Sequence, residues 1–339
     1  MHRLTQAILR DRRTPAEAAA TRDRIEAILV AGNPRDPGNP VSWPRWAKLM
    51  PHLLAAGLAA TANRGLRWLA CYACWYLIAR GDTRSSYDLA GNLCPQWRER
   101  FGSDDDTALE IAHLLAWALQ GLGRYAEARD LEQDILPRSR RVLGEDHQYT
   151  LVYANSLALS LRHLGEVQAA RDLNQDTLGR RRRVLGDDHP STLISAGNLA
   201  IDLYELGEVP PARDLDQDTL ERRRRVLGED HPDTLISAGN LAIDLYELGE
   251  VQAARDLDQD TLERRGRVLG ADHPNTLASA NNLAADLRAL GEVQAARDLD
   301  QDTLERRRRV LGADHPSTLR SVNNLAADLR LLGEAGNQS

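Results

Sequence analysis

The stretch Leu227-Gly228-Glu229-Asp230-His231-Pro232 holds one of five copies of Leu-Gly-x-Asp-His, with glycines at Gly144, Gly186, Gly228, Gly270 and Gly312 and histidines at His147, His189, His231, His273 and His315. Successive copies stand 42 residues apart. Self-similarity at a fixed period of this size marks an array of stacked supersecondary units. One period upstream, Gly102 in Gly-Ser-Asp-Asp-Asp keeps the phase, with Asp105 in the histidine's place. A second marker agrees: a glycine after a helical leucine recurs at Gly123, Gly165, Gly207, Gly249, Gly291 and Gly333, and Gly81 holds the equivalent place one unit earlier. The array therefore starts near residue 65 and runs to residue 339.

Residues 191–232 serve as the reference unit. From Thr192 to Leu206, the residues Leu193, Ala196, Ala200, Leu203 and Leu206 follow at three- and four-residue steps, which places them on one stripe of a helix, helix A. Gly207 supplies the left-handed residue that ends it. From Glu208 to Leu227, the residues Ala212, Leu215, Thr219, Val226 and Leu227 define helix B, and Pro210 and Pro211 fall in its first turn, where a missing N–H is harmless. Gly228 stops helix B, and Asp230, His231 and Pro232 predict a restart with a capping carboxylate and an early proline. Each unit is thus an antiparallel helix pair, at about 65–106, 107–148, 149–190, 191–232, 233–274 and 275–316. A lone helix A follows at Ser317–Leu332, and its Arg320, Asn323, Asn324, Asp328 and Arg330 predict a solvated terminal face.

Ahead of the array, Leu4–Arg10 and Pro15–Val30 read as helices, Gly32–Pro40 as a breaker-rich loop, and Pro44–Ala60 as a helix interrupted or kinked near Pro51. Trp43, Trp46 and Leu53 are expected to dock this segment on the first unit. The fold class is all-α: a right-handed α-solenoid of stacked helix pairs over residues 65–339, with a helical cap at residues 1–64. One unit is shorter than the ~50 residues that usually fold alone, so each borrows its core from its neighbours.

Composition separates the same two regions. All six tryptophans, Trp43, Trp46, Trp68, Trp75, Trp97 and Trp117, lie in the first 118 residues. Residues 1–64 carry a net charge of +5 and the remainder −12, so the repeats form an acidic body. No apolar run approaches the ~20 residues needed to span a bilayer, and Met1–Arg13 lacks a secretory apolar core. Three cysteines are too few for a disulfide scaffold and suit a reducing compartment, so the chain reads as soluble and cytoplasmic.

Leu199-Ala200, Leu206-Gly207 and Ala212 place small residues as tetratricopeptide repeats do, and the chain resembles that family. The longer unit, with Leu269–Pro274 and Asn281–Ala284, is similar to kinesin light chain. At the front, His2-Arg3-Leu4, Ala7–Asp11 and Ser42–Ala47 resemble the stretch that links NTPase to repeats in bacterial NB-ARC (STAND) proteins, including those that accompany FxSxx-COOH peptide-maturation clusters. The NTPase of that family needs a Gly-x4-Gly-Lys-Ser/Thr loop, whereas the only lysine here, Lys48, follows Trp46-Ala47 with no glycines. The resemblance implies the sensor and arm of such a switch without its motor, and a separate STAND NTPase as a partner.

Other chemistry finds little support in the residues. Five histidines at one phase suggest a metal, but successive helix layers lie ~8–10 Å apart while a zinc ligand must sit ~2 Å from its ion. They read as helix-start residues, and no metal or cofactor is expected. Cys71-x-x-Cys74 has redox spacing, yet Cys74 holds the small-residue position filled by Ala200, so both read as buried thiols, as does Cys94. The runs Arg180–Arg183, Arg222–Arg225 and Arg306–Arg309 would stack as a basic ladder for nucleic acid. Each ends a helix B, where cations offset the dipole, and Asp218 and Glu221 precede Arg222 and Arg225 by four residues, which points instead to a self-neutralised face. No nucleophile has a poised base, so no enzymatic activity is expected.

What remains is a surface. Tetratricopeptide arrays bind segments along the concave helix-A face, and alignment to that pattern assigns Ile194, Gly197, Ile201 and Tyr204, then Ile236, Gly239, Ile243 and Tyr246, as an apolar floor with two phenols. Asn155 and Arg162, Asn281 and Arg288, and Asn323 and Arg330 flank it. Such a lining suits a peptide whose backbone is gripped by amides while its side chains fill the middle. The expected partner is a protein or peptide. A self-associating scaffold whose groove is filled by another copy is the alternative, with nucleic acid behind it.

Overall fold

The computed structural model describes residues 14–336, in which every regular element is helical. Two segments precede the repeats: α1 (Pro15–Ala31) and α2 (Trp43–Leu54), joined through a single 3-10 turn at Pro40–Ser42. The pairs are α3 (Arg64–Ala79) with α4 (Thr83–Phe101) and α5 (Asp106–Gly121) with α6 (Tyr125–Val142); α7 (Gln148–His163) and α8 (Val167–Leu185) follow in the chain. The pairs continue as α9 (Pro190–Glu205) with α10 (Val209–Leu227), α11 (Pro232–Glu247) with α12 (Val251–Leu269), and α13 (Pro274–Ala289) with α14 (Val293–Leu311), before α15 (Pro316–Gly336). The chain divides into two compact units, Met1–Glu166 and Val167–Ser339. The result is an all-α repeat solenoid, as the period requires. The helix expected at Leu4–Arg10 lies outside the described residues.

In the first unit, Trp46 is fully buried and stacks on Tyr76 with ring centres 5.7 Å apart, while Trp43 meets the same ring edge-on at 6.5 Å. The helix expected to run from Pro44 to Ala60 stops at Leu54. Pro51 sits inside it without ending it, and the chain turns at Gly57, whose φ of 70° only glycine adopts without strain. That turn frees the Leu58 carbonyl to accept from Trp97 Nε1 at 3.1 Å.

In the second unit each helix packs on the one before and the one after, and successive A helices α9, α11 and α13 also touch. Leucine and alanine fill the space between them: Leu178, Ala196, Leu199, Leu203 and Ala212 form one such cluster. Helix ends are set by two devices. The B helices α10, α12 and α14 stop at Gly228, Gly270 and Gly312, with φ of 90°, 93° and 90°. Helix A begins on the histidine, not on the aspartate before it. His231 Nδ1 accepts from the Asp233 backbone N–H at 3.1 Å, and His147, His189, His273 and His315 do the same two residues on. At the first copy Asp105 caps instead, accepting from Thr107 and Ala108.

The aspartate is free for another task because the histidine has taken the cap. Asp188 accepts from Arg222 at 2.9 Å and from Arg225 at 2.7 Å, one unit further on, and Asp272 takes Arg309 at 2.7 Å. Arg222 also reaches Asp218 at 2.8 Å, the expected i,i+4 pair. The partner of Arg225 is therefore Asp188 rather than Glu221.

The buried stripe of helix B is more polar than its apolar spacing suggests: Asp216, Thr219, Leu220 and Arg223 lie inside, while Val226 is exposed. Arg223 is 6% exposed and ties three helices. It donates to the Asp233 carbonyl and the Ser237 hydroxyl of α11, both at 2.8 Å, and to the Leu193 carbonyl of α9 at 3.2 Å. Arg265 and Arg307 repeat all three bonds one and two units on, and Arg181 repeats the bonds to the following helix through Ser191 and Ser195.

A second buried ladder joins helix B to the next helix A. Asn174 donates to Asp202 at 2.6 Å, and at the same register Asp216 faces Asp244, Asp258 faces Asp286, and Asp300 faces Asp328. Asp328, expected on a solvated outer face, is fully buried in this ladder, whereas Leu319 and Leu329 of α15 are exposed. Burial pushes Asp216 up to about 8 and Asp244 up to about 7, because two carboxyls out of water cannot both ionise cheaply.

Three outcomes follow from these contacts. His231→Ala should cost about 1 kcal/mol in urea denaturation while His231→Asp, copying Asp105, costs little. Arg223→Ala should cost about 3 kcal/mol, since it strands buried carbonyls and a hydroxyl in the two flanking A helices. A folded state that keeps protons the unfolded chain releases near ~3.9 loses stability as pH rises through that window. The urea midpoint should therefore be higher at about pH 5.5 than at about pH 8.5. Asp216→Asn, which rebuilds the Asn174–Asp202 pair, should reduce that difference.

Candidate functional site

In the second unit helix A carries its buried leucines and alanines on one side and turns a second row of side chains outward. Ile194 on α9 is 45% exposed; Ile236, Ile243 and Tyr246 on α11 are 42%, 38% and 37% exposed. Ile201 and Tyr204 are half-buried. Two clefts lie along this face. A cavity of about 280 Å³ is lined by Ala200, Ile201, Tyr204, Glu205, Asp216, Asn240, Ile243 and Asp244. A smaller one of about 130 Å³ repeats it one unit on, with Tyr246, Asp258, Asn282 and Asp286. The structure thus brings Ile201, Tyr204, Ile243 and Tyr246 together at two neighbouring clefts, and adds four aspartates that the apolar spacing did not reveal.

The residues expected to flank this floor fare differently. Asn281 turns its amide oxygen to Arg307 Nη1 at 2.6 Å, so it serves the buried arginine ladder. Arg288, at the register of Tyr204 and Tyr246, is held inward: its Nη2 donates to Asp300 at 2.9 Å and its Nε to Asp328 at 2.5 Å. Asn323 and Arg330 are exposed on α15. Asn155 and Arg162 lie on α7, in the first compact unit.

The first unit has a different lining at the same phase. Trp68 and Glu110 stand where Ile194 stands later, His113 where Asn155 does, and Trp117 where Ile201 does. Trp68 stacks on Tyr149 at 5.5 Å, His113 lies 4.8 Å from Tyr153, and Tyr153 donates to Glu110 at 2.8 Å. Burial pushes Glu110 up to about 7 and His113 down to about 4, so both favour their neutral forms. Counting 42 residues back from Ile194 and Ile201 would have found these rings.

Among the described residues no group of three or more His, Cys, Asp or Glu side chains is placed to hold a metal ion. Cys71, Cys74 and Cys94 are free and buried, and burial raises all three thiols, with Cys74 at about 12. In the run Arg222–Arg225, Arg223 lies in the interior while Arg222 and Arg225 pair with Asp188 of the preceding turn. No helix among the described residues is long and apolar enough to cross a membrane.

Comparison with solved structures places this geometry in context. A kinesin-light-chain protein of Podosopora anserina with nearly identical TPR-like repeats is 28% identical, with a TM-score of 0.53 over 59% of this chain and 95% of its own. The quorum sensor NprR of B. thuringiensis shares the fold at 14% identity, with a TM-score of 0.61 over 93% of this chain and 81% of its own. A STAND protein with a tetratricopeptide repeat sensor from Pyrococcus horikoshii matches 98% of this chain at 14% identity and a TM-score of 0.59, and the chain spans 52% of it. None of the curated proteins compared matches the sequence. Tetratricopeptide repeat models match residues 109–149, 149–224, 234–275 and 276–317, more than half of the chain, which therefore belongs to the tetratricopeptide repeat family.

Proposed function

We propose that this chain is a non-enzymatic scaffold or sensor that binds a polypeptide segment along the helix-A face of its second compact unit. One observation carries the reading: Ile194, Ile236, Ile243 and Tyr246 each leave more than a third of their surface in water, on the helices whose Leu193, Leu199, Leu203, Leu235 and Leu241 are buried. A row of large apolar side chains between polar neighbours is how soluble proteins present a docking surface. Two relatives in fold support it. NprR has been solved with its cognate peptide NprX, and a Rap protein with Competence and Sporulation Factor. The Pyrococcus horikoshii protein supports a sensor role, with residues 1–64 read as the arm that would couple the repeats to an NTPase carried by another polypeptide.

The test is selection of a random peptide library against the intact chain. Selected peptides should lose at least about tenfold in affinity against the Tyr204→Ala, Tyr246→Ala double variant, as removal of central aromatic anchors does elsewhere. Tryptophan emission should stay nearly constant on binding, because all six tryptophans lie in the first 118 residues. Peptides that bind the double variant unchanged, or that alter tryptophan emission strongly, would move the site off this face. Concentration-dependent association in light scattering, abolished by the same substitutions, would make a second copy the occupant.

A further inference from the structure

We propose that the two clefts of the second unit are sockets for arginine side chains of the bound polypeptide, the cleft floored by Asp216 and Asp244 and the one floored by Asp258 and Asp286. The inference rests on the polypeptide-binding reading above and names the side chain that the site selects. The chain contains its own precedent. One unit further on, the equivalent carboxyls Asp300 and Asp328 receive a guanidinium from Arg288, at 2.9 and 2.5 Å. Arg288 stands at the register of Tyr204 and Tyr246, so in two successive units the cation is missing while its acceptors remain.

The acceptors show the deficit. Asp216, Asp244, Asp258 and Asp286 are each 2% exposed, and Asp216 Oδ1, Asp244 Oδ2, Asp258 Oδ1 and Asp286 Oδ2 have no donor. Where Arg288 is present, only Asp328 Oδ2 is left without one. Two facing carboxyls can satisfy one another only by retaining a proton, which is why burial raises them. The first unit meets the same need with a neutral donor at the same register: Gln120 Nε2 reaches Glu132 at 2.9 Å and Ser160 at 2.9 Å. The larger cleft is lined by three carboxylates and no cation. Arg213 and Arg223 lie near enough to lower the two carboxyls, but neither lines the cleft, and Arg223 is committed to Asp233 and Ser237.

A guanidinium suits this floor better than an ammonium, because its parallel N–H groups can engage two carboxylates at once while its flat faces rest on Ile201, Ile243 and the phenol. Successive A helices touch, so the clefts are about 10 Å apart. A polyproline II segment advances about 3.1 Å per residue and returns its side chains to one face every three residues. Arginines three residues apart therefore reach both clefts.

The test uses the full chain with isoleucine δ1-methyl labelling, following Ile201 and Ile243 while adding the capped peptide Ala-Ala-Arg-Ala-Ala-Arg-Ala-Ala. Parallel titrations use peptides with citrulline or leucine in place of arginine. The arginine peptide should shift both methyls and bind at least about tenfold more tightly than either twin. Tyr204→Arg with Tyr246→Arg, which copies Arg288, should abolish that binding, and Asp216→Asn, which copies Asn174, should weaken it; circular dichroism checks that both variants stay helical. The proposal is overturned if the citrulline or leucine peptide binds as tightly, if the Tyr→Arg variant binds unchanged, or if the arginine peptide shifts neither methyl at millimolar concentration. A leucine peptide that binds equally and shifts both methyls would sink the arginine socket and leave the polypeptide groove standing. Failure of the library selection would sink the groove itself.

Discussion

A guanidinium buried once in each of the last four B helices fixes how these helices meet. Arg181, Arg223, Arg265 and Arg307 are each 5–7% exposed. Burying such a charge is costly unless every donor finds an acceptor, and here the acceptors come from the next helix A and, for the last three, from the previous one as well. A slip of one residue along helix B would leave the charge unpaired in an alanine- and leucine-filled interior. The leucines supply most of the burial, but leucine packing alone tolerates several registers. The arginine tolerates one.

This staple has a limit, since the same arginine recurs in four successive units, at Arg181, Arg223, Arg265 and Arg307, and does not tell those repeats from one another. Residues Thr192–Val209 recur unchanged at 234–251, so the chain could pair its own helices out of order during folding. The second buried ladder does differ from unit to unit. It reads Asn174 with Asp202, then two aspartate pairs, then an aspartate pair closed by Arg288. Variation in polar partners at one depth gives each interface its own chemistry. The units whose ladder lacks a cation are those whose helix A carries Ile194, Ile201 and Tyr204 or Ile236, Ile243 and Tyr246.

The helix boundaries show a division of labour within a short motif. In Gly-x-Asp-His the glycine takes the left-handed turn, the histidine caps the next helix, and the aspartate reaches the arginines one unit further on. An imidazole can accept at Nδ1 as a carboxylate does, so the cap needs no charge and leaves the aspartate for an ion pair. Asp105 is the exception that identifies the role, because there a carboxylate caps directly.

The period of 42 residues, the glycines that end each helix and the three- and four-residue spacing of leucine and alanine determined the fold, because all three are local consequences of helix geometry. Alignment to the tetratricopeptide pattern assigned Tyr204, Tyr246 and the isoleucines to one face of helix A. Composition could not show that Asp216, Asp244, Asp258 and Asp286 lie inside, because an aspartate in an acidic chain looks like a solvated one until its neighbours are placed. Arg288 carried the same ambiguity: read along the chain it belongs to the binding face, and in space it is a buried partner of Asp300 and Asp328. Contacts between residues 12 and 40 positions apart decide such cases. Sequence spacing fixes which side of a helix a residue occupies, and only packing decides what waits for it there.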